Sequence, residues 1–324
     1  MQILKLLSLS LLLLWISRPV VSSAEDSTRQ GVERDRFIYF LDTPQYLDMA
    51  DSLLNEAAVR LETLLHHRLN YKPNVFIVNN QFRFDSLIGG KFPDWGAAAA
   101  IPHRKRIVIK SPDQFNLNRS LKELLIHEYS HLALAGRTGF RSAPRWFDEG
   151  LAMMVSAEWN WSSNLAMSKA AVFGQMMSLR EIEKVNRFNE SRAHIAYAQS
   201  YLAVTYIYEE YSNEAANIFL DRIAAGASLD EALMASTGSK YADFETEFGL
   251  YLKNRFNLLT LILDTMWFWL GLAAILIIGA FIKYRKRRLY YRRWEEEERL
   301  QSTDFDYGDP DNPEETDEDE PWRS

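Results

Sequence analysis

The chain has 324 residues, a formal net charge of -7 and no cysteine. The missing thiol excludes a disulfide-stapled fold, a thiolate metal site and a cysteine nucleophile. The net charge conceals a basic block and an acidic block near the C-terminus, and nothing in either calls for nucleic acid.

Residues 1–24 read as a secretory signal peptide. Lys5 supplies the positive start, Leu6 to Ile16 the apolar core, and Ser22-Ser23-Ala24 a small-residue cleavage site. The alternative is an uncleaved N-terminal anchor. Residues 25–34 form a polar leader. Residues 35–255 are then long enough to bury a substantial core, as one domain or two close-packed subdomains. An exported domain without cysteine favours a bacterial envelope.

Arg36 to Leu41 is a strand candidate. Tyr46 to Leu69 carries apolar residues at three- and four-residue intervals, which is helix periodicity. His66 and His67 near its end read as capping or surface residues. Asn74 to Val78 is a second strand, followed by a turn at Asn79-Asn80. Phe82 to Trp95 mixes Gly89, Gly90 and Pro93 with aromatics and reads as a loop. Ala97 to Ile101 and Arg106 to Ile109 read as strands joined around Pro102-His103. This opening is of α+β class.

Next comes Leu124 to Leu134, LLIHEYSHLAL, with His127, Glu128 and His131 in an H-E-x-x-H pattern. On a helix, positions i and i+4 share a face, so both histidines can reach one metal ion. Zinc (Zn2+) suits neutral imidazoles, and Glu128 stands where a general base is needed. Ser120 is the expected N-cap with Glu123 as its capping-box partner, and the helix should end at Gly136. Pro144 suits the first turn of the next helix. Glu149 lies 18 positions beyond His131, inside that second helix, and is the candidate third ligand. Gly150 suggests close packing against the first helix, with a flexible joint as the duller alternative. Asp148 is either an orienting partner for a ligating histidine or a first-turn acid. The blander reading is a surface histidine pair with Glu128 as ordinary helix charge. The Leu/Ile surroundings oppose it, because buried histidines need a polar reason.

Trp159, Asn160, Trp161 and Asn164 form an aromatic-amide cluster that reads as ordinary part-buried packing, with a cleft rim or a membrane-facing surface as the alternatives. Asn213 to Ala224, Asp230 to Met234 and Tyr241 to Asn254 read as helices broken at Gly226 and Gly238. The composition then changes. Residues 258–282 read as one transmembrane helix with 18 uncharged residues from Thr265 to Ile282. Residues 283–293 hold seven basic residues and favour the cytoplasmic side, while Trp267 and Trp269 suit the opposite interface. Residues 294–324 form an acidic tail with 14 acids against two arginines, expected to be disordered and open to a cytoplasmic partner.

HEYSH with PRWFDEGLA resembles the gluzincin zinc metallopeptidases, especially the bacterial peptidase MA-like domains, and more distantly the M1 aminopeptidases. AYAQSY (Ala196–Tyr201) resembles that family's tyrosine-bearing helix, and GASLDEAL (Gly226–Leu233) with Thr237-Gly238 resembles a motif of the MA-like domains. The resemblance covers residues 35–254. It implies a gluzincin-type zincin domain: strands and a helix first, then the HExxH helix, then a helical C-terminal half. It implies His127, His131 and Glu149 as zinc ligands, Glu128 as general base and Tyr197 as oxyanion donor, with Tyr201 competing. His194, one turn before Tyr197, is a possible proton-carrying neighbour. Residues 97–109 resemble the edge strand that lines the family's substrate cleft. Gln199-Ser200 departs from the lysine-glycine of the M1 pattern, and no GxMEN motif is visible, so exopeptidase specificity is not implied. The expectation is an exported, membrane-anchored zinc peptidase, an endopeptidase acting on peptides or proteins, in a bacterial inner membrane. The rival is a tethered peptide-binding module that keeps the zincin fold without turnover. A receptor signalling through the acidic tail is a third reading.

Overall fold

The computed structural model of the chain describes residues 31–90 and 96–300. It divides into two compact units, one ending at Leu261 and one beginning at Ile262. The expected signal peptide, residues 25–30 of the leader and the acidic segment beyond Leu300 lie outside the described residues.

Strand β1 (Val32–Glu33) pairs antiparallel with β2 (Ile38–Leu41). Helix α1 (Leu47–Leu65) buries Ala50, Leu54, Ala57, Leu61 and Leu65 along one stripe, as its periodicity requires. It stops at His66, which takes the left-handed conformation with φ 49°. Strand β3 (Asn74–Val78) follows, then helix α2 (Gln81–Ile88), strand β4 (Ala98–Ile101) and strand β5 (Arg106–Lys110). The sheet order is β1-β2-β3-β5-β4, with β2, β3 and β5 parallel and β4 antiparallel on the edge.

Alternate residues of β3 and β5 face opposite sides of the sheet. Val75, Ile77, Ile107 and Ile109 join the main core, while Phe76, Val78 and Val108 pack on Phe84 and Leu87 of α2. That second face corrects the expected loop at 82–95. Residues 81–88 are helical because Asn80 caps them, its side chain accepting from the Arg83 N–H, and because the sheet's far side needs an apolar cover. Gly89, with φ 84°, ends α2. Residues 91–95 of the expected loop lie outside the described residues.

Helix α3 (Leu121–Arg137) starts with the Ser120/Glu123 capping box in place. It does not end at Gly136. A Cβ there would sit 2.3 Å from Leu69 Cδ2, so the glycine marks a close contact instead of a stop. Helix α4 (Arg145–Ser156) follows Pro144, which occupies the N-cap position. Trp146 and Phe147 anchor α4 in an aromatic cluster with Phe219.

Helices α5 (Trp161–Val172), α6 (Leu179–Ile182) and α7 (Glu190–Tyr206) come next. A π-helical turn, Ile207–Tyr211, continues α7. Then α8 (Asn213–Ala224), α9 (Leu229–Thr237) and α10 (Tyr241–Arg255) complete the globular unit. Gly226 and Gly238 have positive φ at the breaks between them. The result is α+β, with the sheet confined to the N-terminal part.

Helix α11 (Leu258–Leu300) has no buried residue. It contains a stretch long and apolar enough to cross a membrane. The helix also runs on through the basic block and through residues 294–300, which were expected to start the disordered tail. The reason is local: Glu295 to Arg299 are all strong helix formers continuing an existing helix.

Candidate functional site

Helix α3 places His127 and His131 one turn apart, with ring centroids 4.9 Å apart and planes at 78°. The second turn of α4 brings Glu149 against them. Its Oε2 is 3.5 Å from His127 Nε2 and 4.0 Å from His131 Nε2. One ligand atom from each of the three lies within 4.8 Å of the others. The three side chains are almost wholly inside the protein, with Glu149 only 3% exposed. Three polar groups buried face to face make a group that can hold a metal ion.

The outer nitrogens of the two rings are also engaged. His131 Nδ1 is 2.6 Å from Asp148 Oδ1, and His127 Nδ1 is 2.7 Å from Glu158 Oε1. A carboxylate accepts, so each Nδ1 carries a hydrogen and each Nε2 faces the common centre, where the ring offers a lone pair once it is neutral. Asp148 thus takes the orienting position that its place beside Glu149 allowed. Glu158 had no signal in the sequence. It reaches His127 because Ala157, at the end of α4, adopts φ 58° and turns the chain back. Arg119, just before α3, forms an ion pair with Glu158 and neighbours His127 Nδ1 at 2.9 Å.

The charges are mutually dependent. Burial works against the protonated His131 ring, but Asp148, with Glu149 and Glu128, outweighs it and lifts the pKa to about 10. For His127, burial is again opposed by Glu149 and Glu158, and the net direction is upward. Burial alone would raise the Glu158 carboxyl; the His127 bond and charge, with Arg119, hold it at about 2. Glu149 is likewise lowered despite burial, by His127, His131 and Arg145.

Glu128 is buried beside His131 and has no hydrogen bond or ion pair among the described residues. Helix α7 contributes Tyr197. Gly150 is the reason it can come close, and its tight contact is with α7, not with the HExxH helix as expected: a Cβ there would sit 2.1 Å from the Ser200 carbonyl oxygen. That contact of α4 with α7 puts Tyr197, nearly one turn before Ser200, beside Arg145 and Glu149. The phenol shares a hydrogen bond with Arg145, and its pKa is raised, mostly by burial and then by the Glu149 charge.

Tyr201 points to other business, stacking on Trp159 at 4.6 Å and 18°. Of the aromatic-amide cluster, Trp159 therefore packs locally, Asn160 caps α5, and Trp161 stays 60% exposed. Gln199 clamps the Met177 backbone through both amide atoms. His194 is exposed on α7. His103 stacks on Phe140, and neither it nor His66 or His67 joins the cluster. A cavity of about 410 Å³ opens along residues 112–121 and borders Arg119 at the edge of the site.

Among the curated proteins compared with this chain, none matches. The family model of the Peptidase MA superfamily matches residues 54–254, a span that contains α3, α4 and α7 and stops before α11. That is well over half of the sequence, and the chain belongs to the Peptidase MA superfamily.

Proposed function

We propose that the chain is a membrane-anchored, zinc-dependent peptide hydrolase of gluzincin type, with endopeptidase activity. The observation that supports it most is the convergence of His127, His131 and Glu149 beside an unengaged Glu128. The superfamily is generally metal-dependent. Two imidazoles and one carboxylate, buried, with both Nδ1 atoms bonded to carboxylates, are donors that fit zinc. Bound by these three side chains, zinc supplies Lewis acidity toward a water and a carbonyl.

The protein's own groups do the rest. Glu128 takes the proton of the attacking water and returns it to the leaving amine. Tyr197 donates its hydroxyl hydrogen to the developing oxyanion. Strand β4 pairs with β5 on one side only among the described residues, so an extended peptide substrate has a free edge to pair with. An open edge suits chains that continue in both directions, which is the basis for the endopeptidase reading.

The segment 265–282 meets the lipid bilayer, and the basic residues 283–293 set the C-terminus on the cytoplasmic side. The catalytic unit is then exported, in a bacterial inner membrane, toward envelope proteins. The test compares cleavage products in native membranes holding wild type or Glu128→Gln, together with the zinc content of both purified full-length proteins. New termini only with wild type, at equal zinc, are expected. Identical products from both would remove the peptidase assignment. Equal binding of a peptide with cleavage by neither would make the chain a tethered binding module.

A further inference from the structure

Arg145 stands where the metal group and the phenol meet. It is the first residue of α4, one turn before Glu149, and its Nη2 lies 2.6 Å from Glu149 Oε1. The other carboxylate oxygen, Oε2, is the one turned to the two Nε2 atoms. The guanidinium therefore occupies one oxygen and leaves the other for the metal. The same side chain hydrogen-bonds the Tyr197 phenol. Arginine has only donors, so the phenolic oxygen accepts in that bond, and its own hydrogen is left to point elsewhere.

The position of Arg145 is itself held. Its backbone N–H donates to Glu183 Oε1 at 2.9 Å, which satisfies a helix-start amide that Pro144 cannot cap with a side chain. The Gly150–Ser200 contact keeps α7 within reach.

We propose that Arg145 is a positioning residue that couples the two halves of the site. It holds Glu149 as a single-oxygen ligand and orients the Tyr197 hydroxyl, so metal affinity and oxyanion donation depend on one guanidinium. This deepens the peptidase reading and rests on it for the role of Tyr197; the Glu149 half stands apart from turnover. Geometry explains why arginine is needed. A planar fork can serve a carboxylate and a phenol together, whereas lysine offers a compact point charge.

The experiment uses the full-length protein in detergent, stripped of zinc and titrated with zinc against a chromophoric chelator. Arg145→Gln should weaken zinc binding about 10- to 100-fold, as loss of a partner to a metal ligand does. Arg145→Lys should fall between the two, since it restores charge without the fork. Tyr197→Phe should bind zinc as wild type does. At saturating zinc, Arg145→Gln should lower kcat with little change in KM, and adding Tyr197→Phe should slow it no further. Unchanged zinc affinity in Arg145→Gln overturns the proposal, as does full additivity of the two kcat losses. A change confined to KM overturns it too and makes Arg145 a substrate contact. If Arg145→Gln does not fold, wild-type zinc affinity in Arg145→Lys overturns the fork. If wild type itself shows no turnover, the peptidase reading fails, while the zinc series still decides the Glu149 half.

Discussion

Helices α3 and α11 invert each other. Helix α3 lies in the core of the globular unit and still carries His127, Glu128 and His131 inward. Helix α11 has no buried residue and presents Trp267, Phe268, Ile275 and Ile277 outward, each at least 67% exposed. Each breaks the ordinary rule of polar outside and apolar inside. The two breaks have different remedies. The buried polar groups of α3 are mostly answered by named partners: Glu149, Asp148 and Glu158. The apolar surface of α11 lies open among the described residues, and in the proposed reading a bilayer is its remedy. Polar burial thus points to chemistry, and apolar exposure points to a bilayer.

The strongest way to break this contrast is to neutralise the unpartnered member of α3. Glu128→Gln should keep zinc and lower turnover by about 10²- to 10⁴-fold, the usual contribution of a positioned acid-base group. Zinc analysis and initial rates on the same preparation check it. If activity survives, the buried carboxylate serves the fold alone.

On the other helix, a charge should be resisted. Ile275→Arg places a cation at the middle of the apolar stretch, at a cost of about 2.5–3.5 kcal/mol by insertion scales. Resistance to carbonate extraction from membranes should fall in this variant. Extraction of the wild type by carbonate would show that α11 does not span.

A smaller effect tests the joint between α4 and α7. In Gly150→Ala the new methyl meets the Ser200 carbonyl oxygen at 2.1 Å, and backbone cannot step aside as a flexible side chain can. A loss of about 1–3 kcal/mol is expected from overpacking. At about 2–4 °C per kcal/mol for a unit of this size, the thermal midpoint should drop measurably. An unshifted midpoint would mean that the helices separate freely.

The gentlest test is pH. In the zinc-free protein the folded pKa of His131 is about 10 against 6.5 for an ordinary histidine. A raised pKa gives stability that is fully present below 6.5 and is lost as pH climbs through 10. Zinc reverses this sign, because it takes the neutral ring and must displace the proton. Zinc affinity should therefore rise with pH across the neutral range, and binding near pH 7.5 should release about one proton or more. Calorimetry in buffers of different ionisation heat measures that release. Zinc binding without proton release would show that His131 is already neutral.

Much of the fold was legible because its signals are local. The Ser120/Glu123 capping box, the i, i+4 histidines and the strand Asn74–Val78 all depend on neighbours within a few residues. The same holds for the apolar run that becomes α11. Local reading failed where a residue's meaning depends on a distant partner. Gly136 reads as a helix stop until Leu69 is seen against it, and residues 81–88 read as a loop until the far face of the sheet needs them.

In the site, the i, i+4 spacing put His127 and His131 on one face, and Pro144 as a helix start put Glu149 inside a second helix. Only the tertiary structure brought Glu158 to His127 across 31 residues, set Tyr197 rather than Tyr201 beside Arg145, and assigned Asp148 to His131. A sequence pattern records which side of its own helix a side chain leaves. Which group meets it there is decided by how helices pack, and at Gly150 that packing turns on a single missing methyl group.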